Sequence, residues 1–359
     1  MRIAYVGPHR GTSLHRGRAL ERLGHAVTIV DPWSWLPQAR WVGPWLFRTG
    51  AFGSNVFMAR RLADAVEQAR PDLIWVDQGE WFGPRILRAI HKRCSPAVPI
   101  INYTVDDPFG GRYARRRFAG FLRAVPEYDL LAVVRAENVA EARARGARAV
   151  MQVWRSADEV AHAPRELSAE QHRRFASEVV FVGTWMPERG PFMAELIRRG
   201  VPLSIWGDRW QRAREWPQLA SHWHGPGLDA DDDYAAAILA AKINLGLLSK
   251  GNRDLHTTRS LEIPALGGLF CAERTSEHLA LYEDGREAVF WNDAAECAAQ
   301  CMGLLADEPR RKAIAAAGHA RALRNGHYNE QVTQSIVDAA FESNSKLVIH
   351  NNINIVDAV

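Results

Sequence analysis

The chain has 359 residues, of which 47% are hydrophobic and 24% charged, a composition typical of a soluble globular protein with two domains. Its net charge of +4 is unevenly spread, because residues 1–176 hold 27 Lys and Arg against 17 Asp and Glu, and the rest hold 18 against 24. No apolar run approaches the about 20 residues of a membrane span and no signal peptide is evident, so we expect a cytoplasmic protein without a transmembrane segment.

Two apolar runs near the amino end flank a segment with helical spacing, 14–23, which predicts a βαβ unit that opens a parallel sheet. We expect Thr12 or Ser13 to cap this helix and Gly24 to end it. The loop before the helix lacks the GxGxxG pattern, which argues against a dinucleotide cofactor.

The segment 32–57 is dense in aromatic residues and has no sustained period. These residues are Trp33, Trp35, Trp41, Trp45, Phe47, Phe52 and Phe57. We predict a loop that folds back on its own domain. The alternatives are an acceptor platform, because aromatic rings stack on sugars, and an interfacial membrane contact.

Acidic residues follow two predicted strands at their carboxyl ends, where α/β sheets place their chemistry. Glu80 follows the strand at 73–76, and Asp106 with Asp107 follows the strand at 100–103. Adjacent carboxylates repel, so one of the pair could have a raised pKa and act as a base. The alternative is a loop acid that caps a helix.

A run of arginines comes next on a predicted helix: Arg112, Arg115, Arg116 and Arg117. Such a run is either a solvated face or a contact for anionic lipid or a phosphate-bearing acceptor. No nucleic-acid-binding motif accompanies the run, so we do not expect nucleic acid as a partner.

A polar stretch at 155–178 separates this first βα series from a second one, which begins with the strand 179–182 and Gly183. We therefore predict an N-terminal domain at 1–160 and a C-terminal domain at 175–328. A glycine after the first strand lets the backbone approach a phosphate closely.

The stretch from His256 to Cys271 carries the clearest chemical signal. It follows an apolar strand at 243–248 and contains a short predicted helix, on which Arg259 and Glu262 share one face. A helix N-terminus at the carboxyl end of a strand binds anions. Arginine forks onto phosphate, and a carboxylate accepts hydrogen bonds from a ribose diol. The stretch therefore predicts a nucleotide-sugar site.

Metal signals are weak. The acids Asp229, Asp231 and Asp233 superficially resemble a metal-binding DxD motif, but they enter an amphipathic helix, where acids are ordinary cap and dipole partners. Cys297 and Cys301 are spaced i,i+4 in an alanine-rich helix, which favours packed, reduced thiols. We therefore expect no metal and no cofactor.

Several segments together resemble GT-B glycosyltransferases, most closely the CgeB-like, spore-maturation-type group. The most specific match is Arg259-x-x-Glu262 followed by Pro264-Ala265-x-Gly267. The other segments are Met1 to Asp31 with Gly11-Thr12, Asp106-Asp107-Pro108, Val179–Thr184 with Arg189, Leu203–Gly207, His224-Gly225 leading to Tyr234, and Gly326-His327-Tyr328. The resemblance covers most of the chain, and its specific motifs lie in the C-terminal half.

This resemblance implies two Rossmann-like domains that face each other across a cleft, with a C-terminal helix, 329–345, that returns to the first domain. The tail 346–359 is not interpreted. The implied substrate is a nucleotide-diphosphate sugar, held by the C-terminal domain. The expected donor-binding residues are Arg259, Glu262, Gly183, Thr184, Arg189, Lys250, Arg253, His256, Thr257, Thr258 and Gly207. The expected acceptor-side residues are Gly11, Thr12, His15 and Trp81, and the candidate catalytic acids are Asp107, Asp106 and Glu80.

We therefore expect a metal-independent glycosyltransferase of polysaccharide biosynthesis that transfers a hexosyl or deoxyhexosyl group to a hydroxyl acceptor. An anionic or membrane-associated glycan acceptor would suit the basic first half, with the enzyme peripheral at the inner face of the membrane. Asp254 and Glu262 resemble the paired acids of retaining enzymes, but the anomeric outcome stays open. The alternatives are a nucleotide-sugar epimerase on the same fold and a non-catalytic nucleotide- or glycan-binding protein.

Overall fold

The computed structural model describes residues 1–37, 39–51, 53–228 and 232–342. These residues form two compact units. The first unit comprises Met1–Arg155, Gly251–Arg253 and the described chain from Asn329 onward. The second comprises Ser156–Lys250 and Asp254–Tyr328.

The first unit is built on a parallel sheet with helices between its strands. Its strands are β1 (Arg2–Val6), β2 (Ala26–Val30), β3 (Leu73–Asp77), β4 (Ile100–Thr104), β5 (Leu130–Val133) and β6 (Val150–Gln152). Its helices are α1 (Gly11–Arg22), α2 (Val42–Thr49), α3 (Ser54–Gln68), α4 (Pro84–Arg93), α5 (Arg112–Arg117), α6 (Ala119–Ala124) and α7 (Ala136–Arg143). The strand order is β2-β1-β3-β4-β5-β6, so the order reverses direction between β1 and β3.

The second unit repeats this architecture. Its strands are β7 (Ser177–Val182), β8 (Leu203–Trp206), β9 (Trp223–Gly225), β10 (Ala241–Gly246), β11 (Phe270–Glu273) and β12 (Val289–Trp291). Its helices are α8 (Ala169–Phe175), α9 (Arg189–Arg198), α10 (Trp216–Leu219), α11 (Asp232–Leu239), α12 (Arg259–Ala265), α13 (Ser276–Leu281), α14 (Ala294–Ala306) and α15 (Glu308–Asn325). The strand order β12-β11-β10-β7-β8-β9 reverses between β10 and β7. Open α/β sheets bind ligands at such reversal points, at the carboxyl ends of the strands.

The last described helix, α16 (Asn329–Glu342), belongs to the first unit although it follows the second unit in the chain. Its Val332, Ile336 and Val337 are buried together with Tyr5 and Trp75, which point from β1 and β3 to one face of the sheet. The opposite face has its own core. The predicted return of the C-terminal helix to the first domain is thus confirmed.

The central strands are apolar along their length because both faces of each sheet are covered. Every residue of β3 and β4 is buried, as expected for parallel strands between helices. Successive residues serve opposite cores: Ile74 and Val76 pack on one side, and Leu73 and Trp75 on the other.

Two local predictions were wrong in detail. Helix α1 begins at Gly11, one residue before the predicted caps, and Arg10 at its N-cap makes no side-chain cap hydrogen bond. The segment 32–57 is not a loop throughout, because it contains α2 and the first turn of α3. Its Pro and Gly residues and the absence of a long apolar period concealed these helices.

The polar stretch 155–178 also holds an unpredicted helix, α8. Ser168 accepts from the backbone N–H of Gln171, and the side chain of Gln171 accepts from the backbone N–H of Ser168. This capping box is a sequence signal that could have located the helix.

None of the helices in the described ranges is long and apolar enough to cross a bilayer.

Candidate active site

The residue pair that defines the second unit's site is Arg259 and Gly183, at the carboxyl end of β7. Arg259 is the first residue of α12, and its Nε donates to the backbone carbonyl of Val182 at 2.6 Å. A Cβ at Gly183 would lie 3.0 Å from the Nη2 of Arg259 and 2.7 Å from the ring of Phe181. The glycine therefore makes room for the guanidinium, whose remaining donors are available to an anion at the sheet edge.

Arg189, at the start of α9, holds two strand ends together. Its Nη1 donates to the carbonyl of Thr184 at 2.7 Å, and its Nη2 donates to the carbonyls of Leu247 and Leu248, each at 3.1 Å. Burial, and then the nearby charge of Arg259, lowers the pKa of Arg189 to about 10. Both terminal nitrogens donate to backbone carbonyls, whereas Nε has no hydrogen-bond partner among the described residues. The contacts of the terminal nitrogens favour a positioning role over direct contact with a diphosphate.

Gly207 lies directly after β8, where its backbone passes very close to that of Gly183. A Cβ at Gly207 would overlap the carbonyl oxygen of Gly183. That carbonyl also accepts from the indole Nε1 of Trp210 at 2.9 Å. Gly207 is therefore a packing requirement of this edge of the sheet.

Glu262 is held by two side chains from other parts of the unit. Its Oε2 accepts from the hydroxyl of Tyr234 at 2.8 Å, and its Oε1 lies 3.7 Å from the Nε2 of His162. The backbone N–H of Asp158 donates to Nδ1 of His162 at 2.8 Å, so a neutral ring carries its proton on Nε2, toward Glu262. The carboxylate is 5% exposed and fixed in orientation.

The first turn of α12 is anchored by α13. Ser260 Oγ accepts from the backbone N–H of Thr257 at 3.0 Å and lies 2.8 Å from the Nε2 of His278. The Nδ1 of His278 lies 2.6 Å from the carbonyl of Glu273, which places the ring proton on Nδ1 and leaves Nε2 to accept from Ser260. Burial lowers the pKa of His278 to about 4.

Three further predicted donor residues lie on the loop between β10 and α12 or at its end. The ammonium of Lys250 forms an ion pair with Glu273. The Nδ1 of His256 lies 2.6 Å from the Oε2 of Glu277. Thr258 is the N-cap of α12 and uses its backbone carbonyl to accept from Leu261 and Glu262.

Arg253 departs from this group because it belongs to the first unit. Its Nε lies 2.5 Å from the Oδ2 of Asp107 and its Nη2 2.8 Å from the Oε2 of Glu141. Asp107 also accepts from the Nδ2 of Asn138 at 3.0 Å and from the backbone N–H of Phe109 at 3.0 Å. Although burial raises it, the hydrogen bonds from Arg253 and Asn138 bring the pKa of Asp107 below its usual value.

The acidic cluster of the first unit consists of Glu80, after β3, and Asp106, after β4. Arg117 contacts both acids. Arg117 Nη1 lies 2.8 Å from Asp106 Oδ2, and its Nη2 lies 3.6 Å from Glu80 Oε1. Among the described residues, Glu80 Oε2 has no hydrogen-bond partner. Burial raises the pKa of Glu80 despite the opposing charge of Arg117.

The backbone before Glu80 is strained. Gln78 and Gly79 both have positive φ, of 67° and 65°. Asn102 on β4 supports this turn, because its Nδ2 donates to the carbonyls of Val76 and Gln78 at 3.2 and 2.9 Å. A non-glycine residue in the left-handed region is costly, and such strain often occurs at functional sites.

The predicted acceptor-side residues differ in accessibility. Gly11 and Thr12 are partly exposed at the start of α1, whereas His15 is 3% exposed and Trp81 is 0% exposed. Trp81 packs in the core against Trp33 and Phe82. Trp81 is thus a core residue of the first unit.

One group among the described residues has the geometry of metal ligands, and it is not at either site. The ligand atoms of Cys271, Cys297 and Cys301 all lie within 4.8 Å of one another, with each residue 0% exposed in the core of the second unit. Thiol ligands do not suit Mg²⁺ or Mn²⁺. Asp229 and Asp231 lie outside the described residues, and Asp233 forms an ion pair with Arg174 at 3.1 Å.

Sequence reasoning missed the residues that hold the site together. His162, His278 and Asn138 had no role assigned, because each meets its partner only through the fold. Tyr234 had appeared in a family-like segment without a role. Arg117 had been one arginine of a run, and its spacing to two acids could not be seen in the chain.

The comparisons with known proteins agree with this geometry. Residues 189–338 match a family model described as glycosyl transferase-like. A comparison with curated proteins finds no match to the chain. Among solved structures, the chain is similar to sucrose-phosphate synthase from Thermosynechococcus elongatus, with a TM-score of 0.64, 12% identity, and coverage of 95% of this chain and 98% of that one.

Two further structures cover the chain equally well. Anabaena Alr3699/HepE, solved in complex with UDP-glucose, has a TM-score of 0.65 and 11% identity over 95% of this chain and 99% of that one. A glycosyltransferase from Rickettsia africae has a TM-score of 0.61 and 10% identity over 96% of this chain and 98% of that one.

The fold is therefore GT-B, with two Rossmann-like units, each built on a six-stranded parallel sheet in the described residues. Within the C-terminal half, residues 189–338 are similar to the glycosyl transferase-like family. The matched family model agrees with the expected glycosyl transfer, and it gives no support to an epimerase or to a binding protein without activity.

Proposed function

We propose that this protein transfers a hexosyl or deoxyhexosyl group from a UDP-sugar to a hydroxyl acceptor, without a metal ion. The observation that carries the proposal is Arg259, anchored at the reversal point between β10 and β7 with donors free for an anion. The fold similarity to a protein solved with UDP-glucose supports UDP as the nucleotide.

In the reaction, the acceptor oxygen forms a bond to the anomeric carbon while the bond from that carbon to the β-phosphate oxygen breaks. Negative charge develops on the departing UDP. Arg259 neutralises this charge together with the positive end of the α12 dipole. Arg189 keeps the two strand ends in place and its positive charge nearby. This cationic edge supports the proposed metal independence, because it supplies the charge that a divalent ion supplies elsewhere.

Glu262 accepts hydrogen bonds from the ribose hydroxyls of the donor. Tyr234 and His162 fix one orientation of the carboxylate, so less rotamer entropy is lost when the nucleotide binds. Thr184 and Gly207 line the same strand ends and shape the site.

Of the three candidate acids, Glu80 fits the role of base best. Asp107 is fully buried, and both of its oxygens accept hydrogen bonds, which suits a structural acid. Asp106 forms a close ion pair with Arg117, so this carboxylate is already engaged by a cation. Glu80 has a raised pKa and, within the described part of the chain, an oxygen without a hydrogen-bond partner, so it takes the proton of the acceptor hydroxyl more readily.

The family-like segments support a place in the CgeB-like group, whose resemblance spans both halves of the chain. We further propose that the enzyme acts in polysaccharide biosynthesis in the cytoplasm, peripheral to the inner face of the membrane. The basic first half supports an anionic or membrane-associated glycan as acceptor.

The test of the donor site is a thermal-shift measurement with UDP, GDP, dTDP, ADP and CMP. We expect UDP to raise the melting temperature of the wild type, because a ligand at a hundred times its Kd stabilises a protein by about 2.7 kcal/mol. Arg259→Ala should remove the shift while the protein stays folded. Arg199→Ala is the matched control, since Arg199 is paired with Glu195 on the surface of α9.

If none of the nucleotides stabilised the wild type and calorimetry also detected no binding, the assignment of the donor site would be wrong. If UDP bound equally well to Arg259→Ala, the diphosphate would lie elsewhere. Product analysis with donor alone separates transfer from epimerisation, which requires no acceptor.

A further inference from the structure

The first unit exposes large apolar side chains over one short stretch, Trp41 to Arg61. Four of them are more than half exposed: Trp41 at 59%, Phe47 at 57%, Val56 at 54% and Phe57 at 81%. Single exposed apolar residues are common in folded proteins. Several large ones close together indicate a surface that contacts a membrane or another protein.

Two aromatic side chains, Trp41 and Phe47, lie on the outward side of α2, whereas Trp45 is partly buried against the core. Trp41, Pro44 and Phe47 are spaced i, i+3 and i+6 and are all exposed, whereas Val42 on the opposite face is buried. Helical periodicity places the exposed three on one side. The exposed side of α2 thus carries Phe47 and, at the N-cap, Trp41, next to the exposed polar residues Arg48 and Thr49.

The beginning of α3 repeats the pattern. Val56 and Phe57 are followed one turn later by Arg60 and Arg61, and all four are exposed. Arg61 lies 4.3 Å from the ring of Trp35. We call the eight residues Arg40, Trp41, Phe47, Arg48, Val56, Phe57, Arg60 and Arg61 the α2–α3 surface.

The charge of this stretch has one sign. No Asp or Glu occurs between Asp31 and Asp64, whereas Arg40, Arg48, Arg60 and Arg61 all lie in that interval. Aromatic and aliphatic side chains interleaved with arginines are the composition of helices that lie in the interface of a membrane. Asp64, just beyond the interval, forms an i,i+4 ion pair with Arg60 at 3.8 Å. The other three arginines leave the stretch cationic, which suits an anionic surface.

The α2–α3 surface adjoins the acidic cluster through Arg117. The guanidinium of Arg117 lies 5.1 Å from the ring of Phe47, and the same guanidinium pairs with Asp106 and Glu80. The end of α2 is packed tightly on α5, because a Cβ at Gly50 would overlap the carbonyl of Arg117. A molecule held at the α2–α3 surface therefore lies next to the proposed base.

We propose that the α2–α3 surface docks on a bilayer of anionic lipids and that the acceptor is a lipid-anchored molecule presented from that bilayer. The choice of acceptor rests on the proposed function, but the docking does not. The apolar side chains enter the interfacial region, and the arginines contact the headgroup phosphates.

The docking is tested by sedimentation of the full chain with vesicles, without donor or acceptor. We expect binding to vesicles rich in phosphatidylglycerol and at least about tenfold weaker binding to pure phosphatidylcholine, since each basic residue near an anionic surface adds a favourable contribution. Raising the salt concentration should weaken the binding to phosphatidylglycerol.

Two double variants separate the apolar from the electrostatic contribution. Trp41→Ser with Phe57→Ser should lower partitioning onto phosphatidylglycerol at least about tenfold, because both side chains lose their burial in the interface. Arg40→Glu with Arg60→Glu should remove the preference for anionic lipid. The controls are Leu279→Ser with Leu323→Ser, two exposed apolar residues of the second unit, and Arg310→Glu.

The proposal is wrong if the wild type stays in the supernatant with phosphatidylglycerol vesicles at low salt. It is equally wrong if the controls reduce binding as much as the α2–α3 variants, or if light scattering shows that a second copy of the chain covers this surface. UDP binding in the thermal-shift measurement reports on the donor site alone. A failure of docking is therefore distinguishable from a failure of the proposed function.

Discussion

At Gly183 a single methyl group would meet the guanidinium of Arg259 and the ring of Phe181. We expect Gly183→Ala to displace Arg259 and to weaken UDP binding at least about tenfold, which corresponds to about 1.4 kcal/mol. Isothermal calorimetry measures this loss directly. Gly303→Ala is the control, because a Cβ at Gly303 meets nothing within 4 Å. UDP binding as tight as in the wild type would show that Arg259 does not contact the nucleotide.

A second prediction at the residue scale concerns the pH dependence of the activity, which Glu80 should control. Because burial raises its pKa above the usual 4.5, the carboxyl stays protonated to higher pH and cannot act as a base there. We expect kcat/KM to rise with pH over a range above 4.5 and Glu80→Gln to lose most of the activity. An unchanged acid limb of the pH profile in Glu80→Gln would exclude Glu80 as the base.

The raised pKa of Glu80 also affects how the stability of the protein depends on pH, in the direction opposite to that of an acid whose pKa is lowered by an ion pair. A carboxyl with a raised folded-state pKa favours folding in its protonated form, so its stability contribution is present at low pH and is lost as pH rises through that pKa. Glu80→Gln should therefore melt no lower than the wild type at neutral pH. A large loss of stability would mean that Glu80 is structural.

Sequence reasoning could predict Arg259, Glu262 and Gly183 because each lies beside its strand end in a readable strand–loop–helix pattern. It could not predict that Glu262 meets His162, which lies far earlier in the chain. Nor could it rank Asp106, Asp107 and Glu80, because their difference arises from Arg117 and Arg253, which only the fold brings to them.

At the scale of elements, α12 depends on α13 through Ser260 and His278. A histidine whose folded pKa is lowered to about 4, against an ordinary value near 6.5, stabilises the fold above its unfolded pKa and loses that contribution as pH falls. We expect the wild type to lose about 2 kcal/mol from this group between pH 7 and pH 5.

Urea unfolding at the two pH values measures this loss, with His278→Gln as the variant that cannot titrate. His327→Gln is the matched variant, because burial also lowers the pKa of His327 to about 4 but at a different place in the unit. If His278→Gln kept the full pH dependence of the wild type, the histidine would not be neutral and buried in solution.

The accuracy of the sequence prediction at this scale followed the strength of the local signal. The strands at 73–76 and 100–103 were located within one residue at each end, because the apolar run and the flanking residues agreed. Helix α2 was missed because it is short, carries Gly43 and Pro44 in its first turn, and has apolar residues on both its buried and its exposed side.

At the scale of the whole molecule, α16 covers a core that belongs to the other end of the chain. Ile336 is 0% exposed against Tyr5 and Trp75. We expect Ile336→Ala to destabilise the first unit by about 2–5 kcal/mol, because a cavity remains where the side chain was. Phe341→Ala, at a 43% exposed position on the same helix, should cost much less.

Differential scanning calorimetry with and without UDP distinguishes the units. The Ile336→Ala transition should shift downward while UDP still stabilises the second unit. Equal effects of the two substitutions would mean that α16 does not pack on this core. The return of the last helix was predicted by the family resemblance alone, since no local sequence pattern in 329–345 tells which core the helix joins.

The position of α16 also constrains how the protein is made. After Arg155 leaves the ribosome, roughly 170 residues follow before Asn329, which at about 5–20 residues per second takes about 10–30 s. During that interval the nascent chain carries the apolar face of Ile3, Tyr5 and Trp75 without its final cover. Aggregation or binding by a chaperone can therefore occur during this interval. Slower translation of the second unit lengthens the interval.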